Sequence, residues 1–568
     1  MEKKPKLSFK YWQWHTIIAT MIGYALYYFV RKNFSVAMPG LAAEFGISKV
    51  ELGIFITLHG VIYGLSRFVN GVISDRGSAR VVASVGLFLC AVVNIVFGFS
   101  DTAAEWIAAI SHNFGQGWAV GTVLLYFMGI VWIVNGYLQG MGVPPFTKTL
   151  TQWIRPNELA TKMSVWNMSH SIGAGLVFGL CGWYIMPHMG ADLSHQPETV
   201  EQMTYNYTST IFKDDIKKSD DAIAKVVKVN VEKGDEGYLV HAGYTLKENS
   251  KDTLTTTYNF SHQNIQAVKV LCEANKDITP EDIAKQCDIP VAQAKATQTI
   301  ISRSQHYGAW RYCFLIPAII ALLGSIGVFF CVKNSPSDVG YPEVAGKTKN
   351  EVKTPEQQAE YKAFIRRKVF GNRLIWTLAL TNFFVYVVRF AALDWGPTIL
   401  TESKGVTLAW ATTLCIIFEF IGGNIGMVFF GWLTDRVFKN KAHHTCVLCM
   451  LGAAISIATF WFIPETASPW VMMIPFTFIG FFIYGPQALL GIAAANQATN
   501  KAAATANGIL GIFGYASTLI SGVGFGYIAQ EYGWNAAYLT MFITALLGMF
   551  TLLTMWRAKA NGYDEEVK

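Results

Sequence analysis

Long apolar runs recur along the 568-residue chain and constrain its fold more than any other feature. A helix that crosses a bilayer needs about 20 apolar residues and satisfies its backbone polar groups internally. Twelve runs have about this length, which predicts an all-α polytopic membrane protein with twelve transmembrane helices. They lie near residues 13–38, 50–73, 80–100, 119–146, 162–187, 307–332, 372–397, 408–433, 444–464, 469–494, 502–530 and 535–556.

The composition also indicates a membrane protein. Hydrophobic residues make up 52% of the chain and charged residues 15%, against roughly 25% charged in an average soluble protein. The net charge of +7 comes from basic residues in short segments between the apolar runs. We see no convincing metal-ligand cluster, phosphate-binding loop or nucleophile motif. We therefore expect no enzyme activity, no cofactor, no metal and no nucleic-acid partner.

The basic residues between the runs predict the orientation, because short cytoplasmic loops carry an excess of Lys and Arg. With the N-terminus inside, most of these residues fall on the inner side. The short outer loops then hold little beyond Lys49 and Lys404. Both termini are therefore predicted to be cytoplasmic, in a multi-pass protein of a bacterial inner membrane that we expect to be a monomer.

Two polar stretches interrupt the apolar runs and divide the chain. An insertion at 188–306 falls on the predicted outer side and is expected to be a small helical module, with a helix that Thr279 caps and Pro280 begins. An oxidising compartment would permit a disulfide between Cys272 and Cys287, but the sequence does not establish one. The predicted parts are helices 1–5 in 1–187, the insertion, helix 6 in 307–332, a cytoplasmic connector at 333–370, and helices 7–12 in 371–568.

Two motifs recur in both parts of the chain. The segment YFVR at 28–31 returns as YVVR at 386–389, an offset of 358 residues. The segment GVISDR at 71–76 returns as GWLTDR at 431–436, an offset of 360 residues. Two matches in register indicate a parallel repeat of six helices plus six helices, which places a substrate site near the membrane midplane between two pseudo-symmetric halves.

The second motif lies at the predicted inner end of the second helix of each half. Its glycine allows close helix approach, and its acidic and basic residues can pair at an inner gate and separate when that side opens. The alternative is that they only anchor a short positive loop. The candidate gate residues are Asp75, Arg76, Asp435 and Arg436.

Arg31 and Arg389 occupy equivalent positions inside the first and seventh apolar runs. A charged residue at the bilayer centre costs about 2.5–3.5 kcal/mol on insertion scales. Each arginine follows a tyrosine, Tyr28 or Tyr386, by roughly one helical turn on the same face. Two guanidinium groups at one cavity repel each other unless an anion joins them, and a phosphate monoester carries a charge of about −1.5 to −2. The alternative for either arginine alone is an ion pair or a helix-end position that reaches water.

Four segments, at 24–34, 139–145, 165–170 and 386–395, together with the repeated GxxxDR motif, resemble the organophosphate:phosphate antiporters of the major facilitator superfamily. The resemblance covers nearly the whole chain outside 188–306. It implies a fold of two six-helix halves that exchanges an external organophosphate, such as glycerol 3-phosphate or a sugar phosphate, for internal inorganic phosphate by alternating access. The alternative is a non-transporting sugar-phosphate receptor of a two-component signalling system, which needs the same anion site.

The resemblance also implies the site residues. Arg31 and Arg389 hold the substrate phosphate and His170 lies beside it, whereas a lone membrane histidine is otherwise more often a packing residue. Arg67 stands where several relatives carry lysine. It is either a third cationic contact of the substrate or a structural partner of another side chain. Independently of the resemblance, Asp394 and Glu419 lie within apolar runs and are candidate ion-pair acids. The expected cavity residues are completed by Tyr24, Tyr28, Asn167, Tyr386, Tyr484 and Tyr515.

The chain departs from both well-known branches of this family. Val143 replaces a tryptophan of the glycerol-3-phosphate branch, and Thr518 and Gly522 stand where the hexose-6-phosphate branch carries Asp and Lys. The resemblance therefore does not choose the organophosphate.

Overall fold

The computed structural model describes residues 7–210, 212–220, 222–247, 250–275, 277–344 and 355–560. Helices dominate the first part of the chain. They are α1 (Phe9–Phe45), α2 (Lys49–Arg76), α3 (Ala79–Gly98), α4 (Ser100–Asn113), α5 (Val120–Gln139), α6 (Val143–Trp153), α7 (Pro156–Asn167), α8 (Ser169–Gly179), a π-helical turn (Leu180–Ile185) and α9 (Met186–His188). The short helix α4, between the third and fourth apolar runs, is not among the predicted helices.

The insertion follows, and after it the helices resume. The insertion contains α10 (Pro197–Thr210), α11 (Phe212–Ser219), β1 (Lys225–Gly234), β2 (Gly237–Thr245), β3 (Leu254–Ser261), α12 (His262–Ala274), α13 (Pro280–Cys287) and α14 (Val291–Ser304). The later elements are α15 (Ala309–Cys331), a 3-10 turn (Pro336–Val339), α16 (Pro355–Ile365), a π turn (Arg366–Phe370), α17 (Arg373–Asp394), α18 (Gly396–Lys404), α19 (Leu408–Ile416), a π-helical segment (Ile417–Gly423), α20 (Asn424–Arg436), α21 (Ala442–Phe462), α22 (Pro469–Ala516), a π turn (Leu519–Gly524) and α23 (Phe525–Leu553).

Nine segments within the described residues are long and apolar enough to cross a membrane. One of them, Thr505–Leu553, is 49 residues long, and its helix breaks at Gly533, where φ is +76°. Helix α22 breaks in a similar way at Thr499, where φ is +63°. The part of the chain outside the insertion is therefore an all-α polytopic bundle as predicted, while the count of twelve crossings stays a prediction.

Each half has its own helix contacts. In the first half α1 packs against α15 and α8, α3 packs against α15, and α2 packs against α5. In the second half α22 packs against α17 and α21, and α23 packs against α17 and α21. The halves meet where α2 packs on the π turn 519–524 and on α23, and where α8 packs on α19.

The insertion has a separate apolar core and is not purely helical. Its three strands form an antiparallel sheet in the order β1-β2-β3, and Phe212, Val240, Phe260, Ile283 and Ile300 pack among its core residues. The expectation of a helical module is wrong in this respect. The reason is local: 225–234 alternates valine with polar residues, which suits a half-buried strand.

The Thr279-capped helix is confirmed, since α13 begins at Pro280 and the Thr279 side chain accepts a hydrogen bond from the Asp282 amide. Cys272 and Cys287 are both free thiols, and burial raises the pKa of each.

The insertion rests on the end of α1. The Asn206 side chain donates to the Glu44 carbonyl at 2.6 Å. The Glu44 carboxylate in turn accepts from the Gly308 amide and from the Trp310 indole, both at 2.9 Å. The insertion also approaches the second half, where Lys213 lies 3.9 Å from Glu531.

Candidate functional site

Local breaks in helix geometry place the charged residues. Val30, next to Arg31, has non-helical angles of φ −100° and ψ 23° inside α1. Its carbonyl accepts hydrogen bonds from the side-chain amides of Asn94, Asn135 and Gln139, at 3.1, 3.0 and 3.3 Å. The kink is therefore held by polar side chains of α3 and α5, and it sets the direction in which Arg31 leaves the helix.

Arg31 is surrounded by aromatic faces. Its guanidinium carbon lies 4.3 Å from the ring centre of Tyr63 and 5.5 Å from that of Tyr28. Both distances fall within the range of about 6 Å for a cation–π contact. Among the described residues Arg31 has no carboxylate within ion-pair distance, so no acidic side chain of the described structure offsets its charge.

Arg389 is held by polar partners. Its Nη2 donates to the Tyr484 hydroxyl at 3.2 Å and lies 3.6 Å from Oε1 of Glu419. The Tyr484 hydroxyl donates to the same Glu419 oxygen at 2.9 Å. Glu419 is fully buried and sits in the π-helical segment 417–423, a kind of irregularity that often marks functional sites. This carboxylate offsets the charge of Arg389.

His170 joins the two sides of the site. Its ring stacks on Tyr28 with centres 5.7 Å apart, and its Nδ1 lies 3.6 Å from Glu419 Oε1. The Ser171 hydroxyl is 3.0 Å from the same nitrogen. His170 therefore connects a residue of the first half with a carboxylate of the second half.

Arg67 connects the halves on the other side. Its Nη1 donates to the Tyr515 hydroxyl at 3.0 Å, and its guanidinium lies 5.8 Å from the Tyr63 ring. The ring centres of Tyr515 and Tyr386 are 6.2 Å apart, and the Arg389 guanidinium lies 5.8 Å from the Tyr386 ring.

These contacts close into a ring of ten residues, five from each half. We call it the cationic ring. Its order is Arg31, Tyr63, Arg67, Tyr515, Tyr386, Arg389, Tyr484, Glu419, His170 and Tyr28.

The charges of the cationic ring do not cancel. Three arginines stay protonated at any physiological pH, and Glu419 is the single carboxylate among the ten residues. The ring thus carries an excess of two positive charges before His170 is counted. Three polar atoms in it are buried without a hydrogen-bond partner in the described structure: Nε2 of His170, Nε of Arg389 and Oε2 of Glu419. Such atoms are costly unless a water or ligand satisfies them.

A second charged pair lies next to Arg31. Lys32 forms an ion pair and a hydrogen bond with Asp394 at the end of α17, which joins the two halves without adding net charge. A small cavity of about 30 Å³ lies beside this pair and is lined in part by Arg31, His59 and Thr518. That volume has room for a water molecule. His59 is buried, stacks on Trp132, and its Nε2 has no partner within the described residues.

Two predicted cavity residues lie outside the ring contacts. Tyr24 stacks on Trp166 with ring centres 5.0 Å apart and contacts Tyr28 edge to face. Asn167 is the last residue of α7 and half-buried, and within the described structure its side chain makes no hydrogen bond to His170.

The halves are closed against each other at the end that carries the insertion. Lys49 forms an ion pair with Glu402 at 3.0 Å. The Thr57 hydroxyl donates to the Thr518 carbonyl and accepts from the Val523 amide, both at 2.8 Å. At the opposite end, Arg76, Asp435 and Arg436 are exposed and form no ion pair within the described residues, while the Asp75 side chain lies outside the described part.

Two residues of this region, Tyr63 and His59, are not among those predicted from the sequence. Tyr63 lies one turn before Arg67 on α2, and that spacing could have indicated it, since residues four apart share a helix face. His59 lies another turn earlier, at the same spacing. The contact of either residue with Arg31 or its cavity depends on how α1 packs against α2.

The fold and this interface define a polytopic helical membrane protein whose two halves enclose a cationic site. The chain belongs to the Major Facilitator Superfamily, whose family model matches residues 20–191 and 300–522. The unmatched stretch between these ranges lies within the insertion. A bacterial homologue of the human lysosomal transporter Spinster has the same fold, with a TM-score of 0.56 and 13% identity over 96% of this chain and 95% of that one.

The predicted resemblance to organophosphate transporters is confirmed by curated relatives. The glycerol-3-phosphate transporter of Bacillus subtilis strain 168 is 27% identical over 98% of this chain and 95% of its own length. A probable hexose phosphate transport protein of Chlamydia trachomatis is 27% identical over 97% of this chain and 93% of its own length. The membrane sensor protein UhpC of Escherichia coli K12 is 25% identical over 97% of this chain and 94% of its own length.

Proposed function

We propose that this protein is a secondary-active antiporter that exchanges an external organophosphate for internal inorganic phosphate by alternating access. The observation that carries the proposal is the excess of two positive charges in the cationic ring, which matches the charge of about −1.5 to −2 on a phosphate monoester. The relatives whose names specify glycerol 3-phosphate and hexose phosphate support an organophosphate as the substrate.

The geometry suggests how the phosphate binds. Arg31 presents its guanidinium from the first half and Arg389 from the second, and each can form two hydrogen bonds to phosphate oxygens. Arg67 and the hydroxyls of Tyr515 and Tyr484 supply further donors. Nε2 of His170 adds a hydrogen bond in the proposed complex, and the phosphate then draws the two halves together.

Glu419 makes binding reversible in this mechanism. It lies 3.6 Å from both Arg389 and His170, so it competes with the phosphate for the same donors. When the phosphate leaves, Glu419 offsets part of the exposed charge, but two positive charges remain. Closing the empty site would bury them without an anion, which is costly in a low-dielectric interior. The empty carrier therefore reorients slowly, and exchange is favoured over net transport.

Alternating access requires the closed end to open. The Lys49–Glu402 pair and the Thr57 hydrogen bonds must break there as α2 moves away from 518–523. We propose that this end faces outside and that both termini lie in the cytoplasm of a bacterial inner membrane, as the loop charges predict. We further propose that the protein acts as a monomer without enzyme activity. Asp75, Arg76, Asp435 and Arg436 would then form the gate at the cytoplasmic end.

Exchange in proteoliposomes tests the proposal. Vesicles loaded with inorganic phosphate receive labelled glycerol 3-phosphate or glucose 6-phosphate outside. We expect uptake that needs internal phosphate and that falls at least tenfold in Arg31→Lys and Arg389→Lys, because lysine cannot make the two-point contact. Arg557→Lys, at an exposed site, is the matched control. Uptake without internal phosphate would contradict antiport.

A receptor is the second candidate function, and the similarity to the membrane sensor protein UhpC favours it. A receptor would bind the organophosphate at the same ring and would not carry it across the membrane. Binding without uptake of either compound, lost in both arginine variants, would support the receptor in place of the antiporter.

A further inference from the structure

A long groove runs along the outside of the bundle between α1 and α15. Its volume is about 720 Å³, within the range of about 300–1,000 Å³ for small-molecule sites. It is independent of the cationic ring, with which it shares no residue. Its walls include Trp14, Ile18 and Ile22 of α1 and Gly324, Gly327 and Cys331 of α15.

The floor of the groove is formed by small residues. A Cβ atom at Gly327 would meet nothing within 4 Å, so this position opens onto free space. At Gly324 a Cβ would lie 2.0 Å from Cδ1 of Leu26, so α1 and α15 touch there and close the bottom of the groove. The side chains of Ile18 and Ile22 are exposed beside it. This shape suits an extended apolar chain lying along the bundle.

One end of the groove is polar. Lys10 lines it and makes no ion pair within the described residues, and no carboxylate appears in the described lining. Nδ1 of His15, also in the lining, is buried and has no hydrogen-bond partner in the described structure. Tyr11 and Trp14 flank these residues and are exposed, as aromatic residues at a membrane–water interface are.

The length of the groove matches one leaflet. Lys10 and Ile22 are twelve residues apart on α1, which is about 18 Å along a helix. The hydrocarbon of one leaflet is about 15 Å thick, half of the full core of about 30 Å. A molecule with its charged group beside Lys10 would therefore end its apolar part near the bilayer midplane.

We propose that this groove binds one anionic phospholipid, with its phosphate beside Lys10 and one acyl chain over Gly327. His15 hydrogen-bonds the headgroup through Nδ1. A basic site between transmembrane helices at a membrane surface suits an anionic headgroup, and the apolar walls exclude a soluble phosphate as the principal ligand.

Native mass spectrometry of the full-length protein tests this site. The detergent-purified protein receives palmitoyl-oleoyl phosphatidylglycerol or phosphatidylcholine at equal concentration. We expect one retained phosphatidylglycerol, bound about fivefold more tightly than phosphatidylcholine. This factor corresponds to about 1 kcal/mol, the contribution of one lysine to the binding of an anionic lipid. Lys10→Ala should remove this preference, whereas Arg557→Ala, an exposed basic site in the other half, should keep it.

A second variant tests the chain-binding part. Gly327→Leu fills the open floor and should abolish retention of both lipids, while Gly121→Leu, where a Cβ also meets nothing within 4 Å, should not. Phosphate exchange serves as the folding check for each variant. Equal retention of the two lipids, or retention that Gly327→Leu leaves unchanged, would overturn the proposal. So would complete displacement by soluble glycerol phosphate, since this would mean a headgroup site without a lipid chain.

Discussion

Lys32 of α1 forms an ion pair with Asp394 of α17, although the two residues are 362 positions apart. The pair ties equivalent helices of the two halves together next to Arg31, which is the neighbour of Lys32 in sequence. Its two charges cancel, so the pair leaves the excess positive charge of the cationic ring unchanged.

Breaking this pair should destabilise the protein more than removing it completely. Lys32→Met or Asp394→Asn alone leaves a buried charge unpaired, which costs about 3–5 kcal/mol. The double variant removes both charges and should cost clearly less than the sum of the two. The free energy of unfolding in detergent, measured for both single variants and the double variant, gives the coupling. If the losses of the two single variants simply add in the double variant, the two side chains do not interact. The more exposed Lys162–Glu158 pair is the control, with an expected effect of about 0–1 kcal/mol on the free energy of unfolding.

Removing the Glu419 carboxylate should strengthen phosphate binding and slow exchange. In Glu419→Gln the donors of Arg389 and His170 lose their internal competitor, so we expect about tenfold tighter binding, equal to about 1.4 kcal/mol. The empty site then carries a larger uncompensated charge and reorients more slowly. Calorimetry measures the affinity and proteoliposome exchange the rate. Glu281→Gln in the insertion is the matched control, and an unchanged affinity in Glu419→Gln would argue against competition.

The aromatic face of Tyr63 should matter more than its hydroxyl. The ring centre lies 4.3 Å from the Arg31 guanidinium, and a cation–π contact is worth about 0.5–2 kcal/mol. Tyr63→Leu should therefore weaken phosphate binding by about two- to thirtyfold, whereas Tyr63→Phe should bind nearly as the unchanged protein does. Equal losses in both variants would assign the effect to the hydroxyl.

A side chain at Gly53 should prevent closure at the insertion end. A Cβ there would lie 2.6 Å from the Gly522 carbonyl oxygen and 2.9 Å from the Val523 Cα, both backbone atoms that cannot rotate away. We expect Gly53→Val to separate α2 from 519–524 and to increase the labelling rate of a Thr518→Cys variant by a maleimide at least tenfold. Exchange should fall to the same extent.

The control for this variant is Gly121→Val, because a Cβ at that exposed glycine meets nothing within 4 Å. It should change neither labelling nor exchange. If adding Gly53→Val leaves the labelling rate of the Thr518→Cys variant unchanged and exchange continues, the close approach of the halves at Gly53 is not needed for transport.

The sequence alone determined the class of fold and identified most of the residues that the structure brings together in the cationic ring. Apolar runs of bilayer length force helices, and the repeated motifs at 28–31 and 386–389 predict two related halves. Arg31, Arg389, Arg67 and His170 stand out because a charged or titratable side chain within an apolar helix is costly and is seldom kept without a role. These features depend on the order and chemistry of residues along one segment, so one sequence can reveal them.

Only the tertiary structure decided which residues meet. Lys32 and Asp394 form a pair only because α1 faces α17 at this level. Three further features were not predicted. They are the place of Tyr63 between two arginines, the approach of the Glu419 carboxylate to both Arg389 and His170, and the sheet within the insertion. Each depends on helix rotation, a kink such as that at Val30, or strand pairing. These are set by packing between distant segments, which local sequence patterns do not encode.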